Sequence, residues 1–288
     1  MAKQIVIVSG KGGTGKTVIS AAFCAIAKNK IIVDADVDAA NLFLLLNPVN
    51  KETHKFSGGY QAIIDPKLCI LCGSCRNNCH FDAIDKDFVV DEILCEGCGL
   101  CARICPNNAI KMQPLNSGEW YISETSHGIF VHAKLGIAEE NTGKLVSLVK
   151  YKATEIANKD ICDWIIVDGP PGIGCPAIAA LSNSDCVVIV TEPTLSGLHD
   201  AKRVVELAKH FSLPLKFIIN KYDLNLEITE KIKNYCENNQ IEVIGKILFD
   251  ESIVQSIIDG KTIMDSEEFK HKDVLVHAWN KITNTFNN

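Results

Sequence analysis

Lys3-Gln-Ile-Val-Ile-Val-Ser-Gly10-Lys11-Gly12-Gly13-Thr14-Gly15-Lys16-Thr17 is the stretch that decides the fold. Residues 3–8 read as a strand buried on both faces. They run directly into G-x-x-x-x-G-K-[ST], and a helical pattern follows from about Lys16 to Asn29. Strand, glycine loop and helix in that order make a phosphate cradle. The glycines let successive backbone amides turn toward one anion, and the helix N-terminus adds its positive end. Gly12, Gly13, Thr14 and Gly15 are expected to supply the amides, Lys16 to reach the β- and γ-phosphates, and Thr17 to put its hydroxyl on Mg²⁺.

Working outward, Ile31–Val33 is a second strand ending at Asp34-Ala-Asp36. The pattern then breaks, and from roughly Tyr60 to Met112 the chain reads as short strands, turns and cysteines. Two short alternating runs follow, Trp120–Ile122 and Ile129–Val131. Regular alternation resumes with a helix over about 143–159 and strands at 164–168, 186–190, 215–219 and 241–248, separated by helices near 197–211 and 227–237. Such alternation implies an α/β fold with a doubly wound, mostly parallel sheet. The cysteine block is an insertion into it, which divides the chain into residues 1–59 and 113–288 of one P-loop domain and an inserted module at 60–112. A chain of 288 residues is long enough for both. The net charge of −6, with no basic face, gives no reason to expect nucleic acid. The N-terminus lacks the zones of a signal peptide and no apolar run has transmembrane length, so the expected location is cytoplasmic, without a membrane partner. The C-terminal Val274, Leu275, Ala278, Trp279, Ile282 and Phe286 fall at helical spacing and predict a helix docked on the core.

Lys11 gives the loop a second lysine just after its first glycine. This deviant Walker A signature resembles the MinD/ParA/Mrp group of P-loop ATPases, with the nitrogenase iron protein and the arsenite-pump ATPase as relatives. The resemblance implies that Lys11 crosses a nucleotide-sandwiched dimer to the partner's phosphates, like an arginine finger supplied in trans. Asp168, followed by Gly169-Pro-Pro-Gly172, resembles the group's Walker B and switch II, where a carboxylate holds Mg²⁺ through its water shell. Asp34-x-Asp36, with Asn41 beyond it, resembles switch I and implies that Asp36 positions or deprotonates the attacking water near Mg²⁺. Asn220-Lys221-Tyr222-Asp223 matches the N-K-x-D base-reading pattern of GTPases. Members of the resembled group carry Asn at this point and use ATP. ATP is therefore the expected nucleotide, with Asn220 in its site, GTP the minor alternative and the role of Asp223 open. Phe249-Asp250-Glu251-Ser252 sits where related proteins pack a loop against the base.

Eight of the thirteen cysteines fall between Cys69 and Cys105. In a reducing compartment, so dense a cluster points to metal rather than to disulfides. Cys69-x₂-Cys72-x₂-Cys75-x₃-Cys79 and Cys95-x₂-Cys98-x₂-Cys101-x₃-Cys105-Pro106 repeat one spacing, that of bacterial two-cluster ferredoxins. By that similarity one [4Fe–4S] cluster takes Cys69, Cys72, Cys75 and Cys105. The other takes Cys79, Cys95, Cys98 and Cys101, since the fourth cysteine of each run crosses over. Zinc, which favours two separated cysteine pairs, fits the spacing poorly. His80 stands where ferredoxins commonly have proline. The whole combination resembles MinD-superfamily ATPases carrying an inserted ferredoxin-like α+β domain.

Cys175 lies seven residues after Asp168, where the nitrogenase iron protein has a cysteine holding a cluster between subunits, but its companion cysteine has no counterpart here. Nor is there the C-terminal cysteine pair of Mrp-type carriers. His127, His132, Lys134, Glu139, Glu140, Asn141 and Lys144 form a polar stretch around the two short alternating runs and the start of the helix at 143–159. Three functions compete. The first is a dimeric MgATPase, homodimeric or paired with a homologous subunit, that couples hydrolysis to the clusters for low-potential electron transfer or metal-cofactor assembly with a redox or assembly partner. The second is a cluster carrier whose ATPase only gates docking. The third is a positioning switch of the MinD/ParA kind.

Overall fold

The computed structural model describes residues 1–136 and 142–286, so Glu139, Glu140 and Asn141 of the polar stretch lie outside the described residues. The elements are β1 (Lys3–Ser9), α1 (Lys16–Ile26), β2 (Lys30–Asp34), α2 (Phe43–Leu46), β3 (Val49–Ile64), α3 (Ser74–Asn77), α4 (Leu100–Ile104), β4 (Ile110–Thr125), β5 (Gly128–Leu135), α5 (Thr142–Lys159), β6 (Trp164–Pro171), α6 (Cys175–Leu181), β7 (Cys186–Thr191), α7 (Leu195–His210), β8 (Leu215–Asn220), α8 (Leu226–Asn238), β9 (Glu242–Ile247), α9 (Ser252–Ile258) and α10 (Lys272–Asn284). They form two compact units. The first comprises residues 1–53, 120–134 and the chain from 142 onward, and the second comprises 54–119 with the segment that begins at Leu135.

In the first unit the strands lie in the order β5-β2-β6-β1-β7-β8-β9, every neighbouring pair parallel. β6 runs between β1 and β2, pairing Ile5 with Ile166 on one side and Val33 with Val167 on the other. The register sets Asp34 beside Asp168 at the carboxyl ends of their strands. Ile5, Ile7 and Ile166 share a buried cluster with Ile19 and Phe23 of α1 and Leu275, Trp279 and Ile282 of α10. The C-terminal helix is thus docked on the core, with Trp279 against Phe23 at 5.6 Å and Trp164 at 5.4 Å between ring centroids. Alternation sends Val6, Val167 and Val187 to the opposite face. Both faces of β1, β2, β6 and β7 are buried, which is why each of these central strands carries an unbroken apolar run. No helix among the described residues is long and apolar enough to cross a membrane.

The second unit has little apolar core of its own. Ala62, Cys75, Ile84 and Ile110 are its buried cluster, and Cys79, Cys95, Cys101 and Cys105 pack against them beside Ile64, Phe88, Val90 and Met112. Its helices α3 and α4 are four and five residues long. The sequence suggests only short strands here, whereas β3 and β4 each run sixteen residues. Most β3 residues are exposed, so no two-residue hydrophobic period marks the strand.

Candidate nucleotide site and cysteine cavities

The phosphate loop leaves β1 at Ser9 and enters α1 at Lys16. Gly13 and Gly15 take left-handed conformations, φ 82° and 87°, which a side chain would strain. A Cβ on Gly15 would also meet the Asn220 amide. That amide donates to the Thr14 carbonyl at 2.9 Å, and the Lys221 ammonium donates to the Gly13 carbonyl at 3.2 Å. The end of β8 therefore grips the loop by its backbone.

Lys16 is buried, with its ammonium 2.9 Å from Asp168 Oδ1 and 3.3 Å from Asp36 Oδ2. Burial alone would lower its pKa. The charges of Asp168, then Asp36, then Asp34 outweigh burial, and the net shift is upward. Ser20, one turn into α1, donates to the same Asp168 oxygen at 2.7 Å. Asp34 takes the amides of Asp36 at 3.1 Å and Leu42 at 3.2 Å, closing the loop after β2. Burial first and the Asp168 charge second push its pKa up, against Lys16 and those amides. Burial also raises Asp36, opposed by Lys16. Two polar atoms here are buried without a hydrogen-bond partner among the described residues, Asp168 Oδ2 and Thr14 Oγ1. A buried acceptor of this kind is costly unless a ligand completes it. A bound nucleotide with a hydrated cation is such a ligand, so the donor set fits both.

Lys11 is held within its own chain. Its ammonium lies 2.8 Å from Glu192 Oε1, 3.2 Å from Thr194 Oγ1 and 3.1 Å from Ser196 Oγ. Glu192 also pairs with Lys221 at 3.2 Å. Sequence reasoning missed both Glu192 and Ser20. The signal for Glu192 was its place just past a parallel strand, at the edge where such sheets bind ligands. Asn41 is exposed, and Cys175 is exposed at the first residue of α6.

In the second unit the eight clustered cysteines divide between two cavities. One is lined by Cys69, Cys72, Cys75 and Cys105, the other by Cys79, Cys95, Cys98 and Cys101. Each cavity gathers three cysteines of one run and the fourth of the other. The thiols surround these spaces, and no three Cys, His, Asp or Glu side chains among the described residues converge as they would on a single ion. Gly97, with φ 62°, lets its loop press against the Tyr60 backbone, where a Cβ would collide.

A parallel sheet with a glycine loop between β1 and α1, a buried lysine and facing aspartates at the strand ends defines a P-loop ATPase. The family model for the CobQ/CobB/MinD/ParA nucleotide binding domain matches residues 5–263, and the chain belongs to that family. It is 35% identical over 227 residues to the uncharacterized protein MJ0578 of Methanocaldococcus jannaschii, covering 77% of this chain and 79% of that one. It is 24% identical over 272 residues to the septum site-determining protein MinD of Bacillus subtilis, covering 91% and 82%. Among solved structures, MinD of Pyrococcus horikoshii complexed with Mg-ADP aligns with a TM-score of 0.61 at 20% identity, covering 99% of this chain and 98% of that one.

Proposed function

We propose that this ATPase couples MgATP binding and hydrolysis to two [4Fe–4S] clusters held in residues 60–112. The observation that carries the reading is the partition of eight cysteines into two cavities, each lined by one crossed set of four. Four thiols spread around a space suit a cluster with an iron at each corner better than they suit one ion. Such clusters supply one-electron transfer at low potential when bound. Cys69, Cys72, Cys75 and Cys105 would hold one, and Cys79, Cys95, Cys98 and Cys101 the other.

In the nucleotide site, Lys16 and the amides of Gly12 to Gly15 bind phosphate, while Thr17, Asp36 and Asp168 hold the magnesium shell. The orphaned Asp168 oxygen supports that role. Bound Mg²⁺ supplies charge neutralisation across the phosphates. Asp36 orients the attacking water. Lys11 leaves Glu192 to serve a partner subunit, either a second copy or a homologous ATPase. The output is electron delivery or metal-cofactor assembly with a redox or assembly partner.

A second reading is a positioning switch, and the similarity to a septum site-determining MinD favours it. The two part on one experiment. Anaerobically purified protein is analysed for iron and, after dithionite reduction, by EPR with and without MgATP. Two cubane signals that shift with MgATP in the wild type and not in Lys16→Ala support the first reading. Clusters indifferent to nucleotide point to a carrier. A protein without iron that sediments with liposomes or DNA only in the presence of MgATP would make it a positioning switch.

A further inference from the structure

Asn220-Lys221-Tyr222-Asp223 has the form of a guanine-reading motif, yet Asn220, Lys221 and one oxygen of Asp223 are already engaged inside the chain. The Asn220 amide holds the Thr14 carbonyl, and its oxygen accepts the Lys221 amide at 3.1 Å. The Lys221 ammonium holds the Gly13 carbonyl and pairs with Glu192. Asp223 follows in a short 3-10 turn, Tyr222–Leu224, entered through Lys221 at φ 53°. Its Oδ1 accepts the Phe249 amide at 2.7 Å. Asn220, Lys221 and Asp223 therefore tie the phosphate loop to the loop that follows β9. That second loop is closed by a further turn, in which Asp250 Oδ1 accepts the Ser252 amide at 2.9 Å.

We propose that Asp223 is a positioning residue that fixes the Phe249–Ser252 loop beside the nucleotide, and not a reader of guanine. The proposal rests on the nucleotide reading above and concerns how the base side of that site is held. One side of the phosphate loop carries Asp34, Asp36 and Asp168, which suits phosphate and metal. The side at Gly13–Gly15, which Asn220 and Lys221 hold and to whose turn Asp223 ties the Phe249 loop, is left for the base. Guanine presents two donors, N1–H and the exocyclic amine, and is recognised by a carboxylate turned toward both. Here one of the two carboxylate oxygens already accepts a backbone amide of its own chain, so the pair is not presented together to both donors. Phe249, half-exposed on that loop, offers a ring face that any purine can use. Without a carboxylate for its two donors, guanine gains nothing over adenine.

The proposal makes Asn a substitute for Asp at this position, since an amide oxygen accepts from a backbone N–H as a carboxylate does. Guanine reading needs the carboxylate itself. Fluorescent mant-ATP and mant-GTP are titrated into the full chain and its Asp223→Asn and Asp223→Ala variants, and hydrogen exchange is followed at the Phe249 amide without nucleotide. Asp223→Asn is expected to match the wild type for both nucleotides and for exchange. Asp223→Ala is expected to weaken both nucleotides equally, by about three- to tenfold as one lost hydrogen bond implies, and to speed exchange at Phe249. Loss of mant-GTP alone in both variants would overturn the proposal, as would unchanged exchange at Phe249 in Asp223→Ala. A wild type that bound neither nucleotide would sink the nucleotide reading instead, while exchange at Phe249 still decided the clasp.

Discussion

Around Lys16 one ammonium faces Asp168 at 2.9 Å and Asp36 at 3.3 Å, with Asp34 behind them. Removing the cation leaves buried carboxylates facing each other, a change that typically costs about 3–5 kcal/mol. Lys16→Met should therefore melt below the wild type. Magnesium chloride without nucleotide should restore more of the melting temperature in the variant than it adds to the wild type, because a divalent ion can take the vacated position. Equal magnesium effects in a thermal melt would contradict this. His132 makes a second case. It stacks on Phe130 at 4.4 Å and Tyr121 at 4.9 Å, with Nε2 at 2.9 Å from the Ser123 hydroxyl. Burial pushes its pKa from 6.5 down to about 4. Between those values the unfolded chain binds the proton and the folded chain does not, so His132 makes stability fall as pH drops from 6.5 toward 4. His132→Phe should flatten that part of the profile in urea unfolding at pH 7, 5.5 and 4.5.

Between elements, Lys150 pins α5 to the C-terminal end of α6. Its ammonium donates to the carbonyls of Ala179 at 3.3 Å, Ala180, and Ser182 at 2.6 Å. A cation at the negative end of a helix, satisfying its last carbonyls, is a favourable arrangement. Lys150→Met should cost about 2–3 kcal/mol in chemical denaturation, the scale of a charge-assisted hydrogen bond lost from buried acceptors. Nothing in the sequence marks this contact, because a lysine on a helix looks the same whether it meets solvent or a neighbouring helix end. Other elements were legible. Ile5–Val8, Ile165–Val167 and Cys186–Val190 read as strands because burial on both faces leaves each a continuous apolar run. Asp36 and Asp168 stood out by resemblance to switch I and Walker B segments at strand ends, and the fold brings both to Lys16. Pairing order was not legible, since it depends on residues far apart in the chain. Ser20 hid as well, because a small residue one turn after Thr17 looks like a packing spacer.

At the scale of the whole molecule, the sheet joins strands from distant parts of the chain. β1 and β2, complete by residue 34, do not touch each other, and β6, residues 164–171, lies between them. A chain ended at residue 163 would keep Gly10 to Thr17 and all eight clustered cysteines but lack β6 and Asp168. Such a chain should bind no mant-ATP in titration, and measurable binding would show that the phosphate loop works without its central strand. The same topology governs events on the ribosome. Translation delivers Cys69 to Cys105 before the strand that closes the ATPase has been made, while the phosphate loop waits for its acidic partner. The nascent chain thus offers its thiols to the cell before it can take up nucleotide.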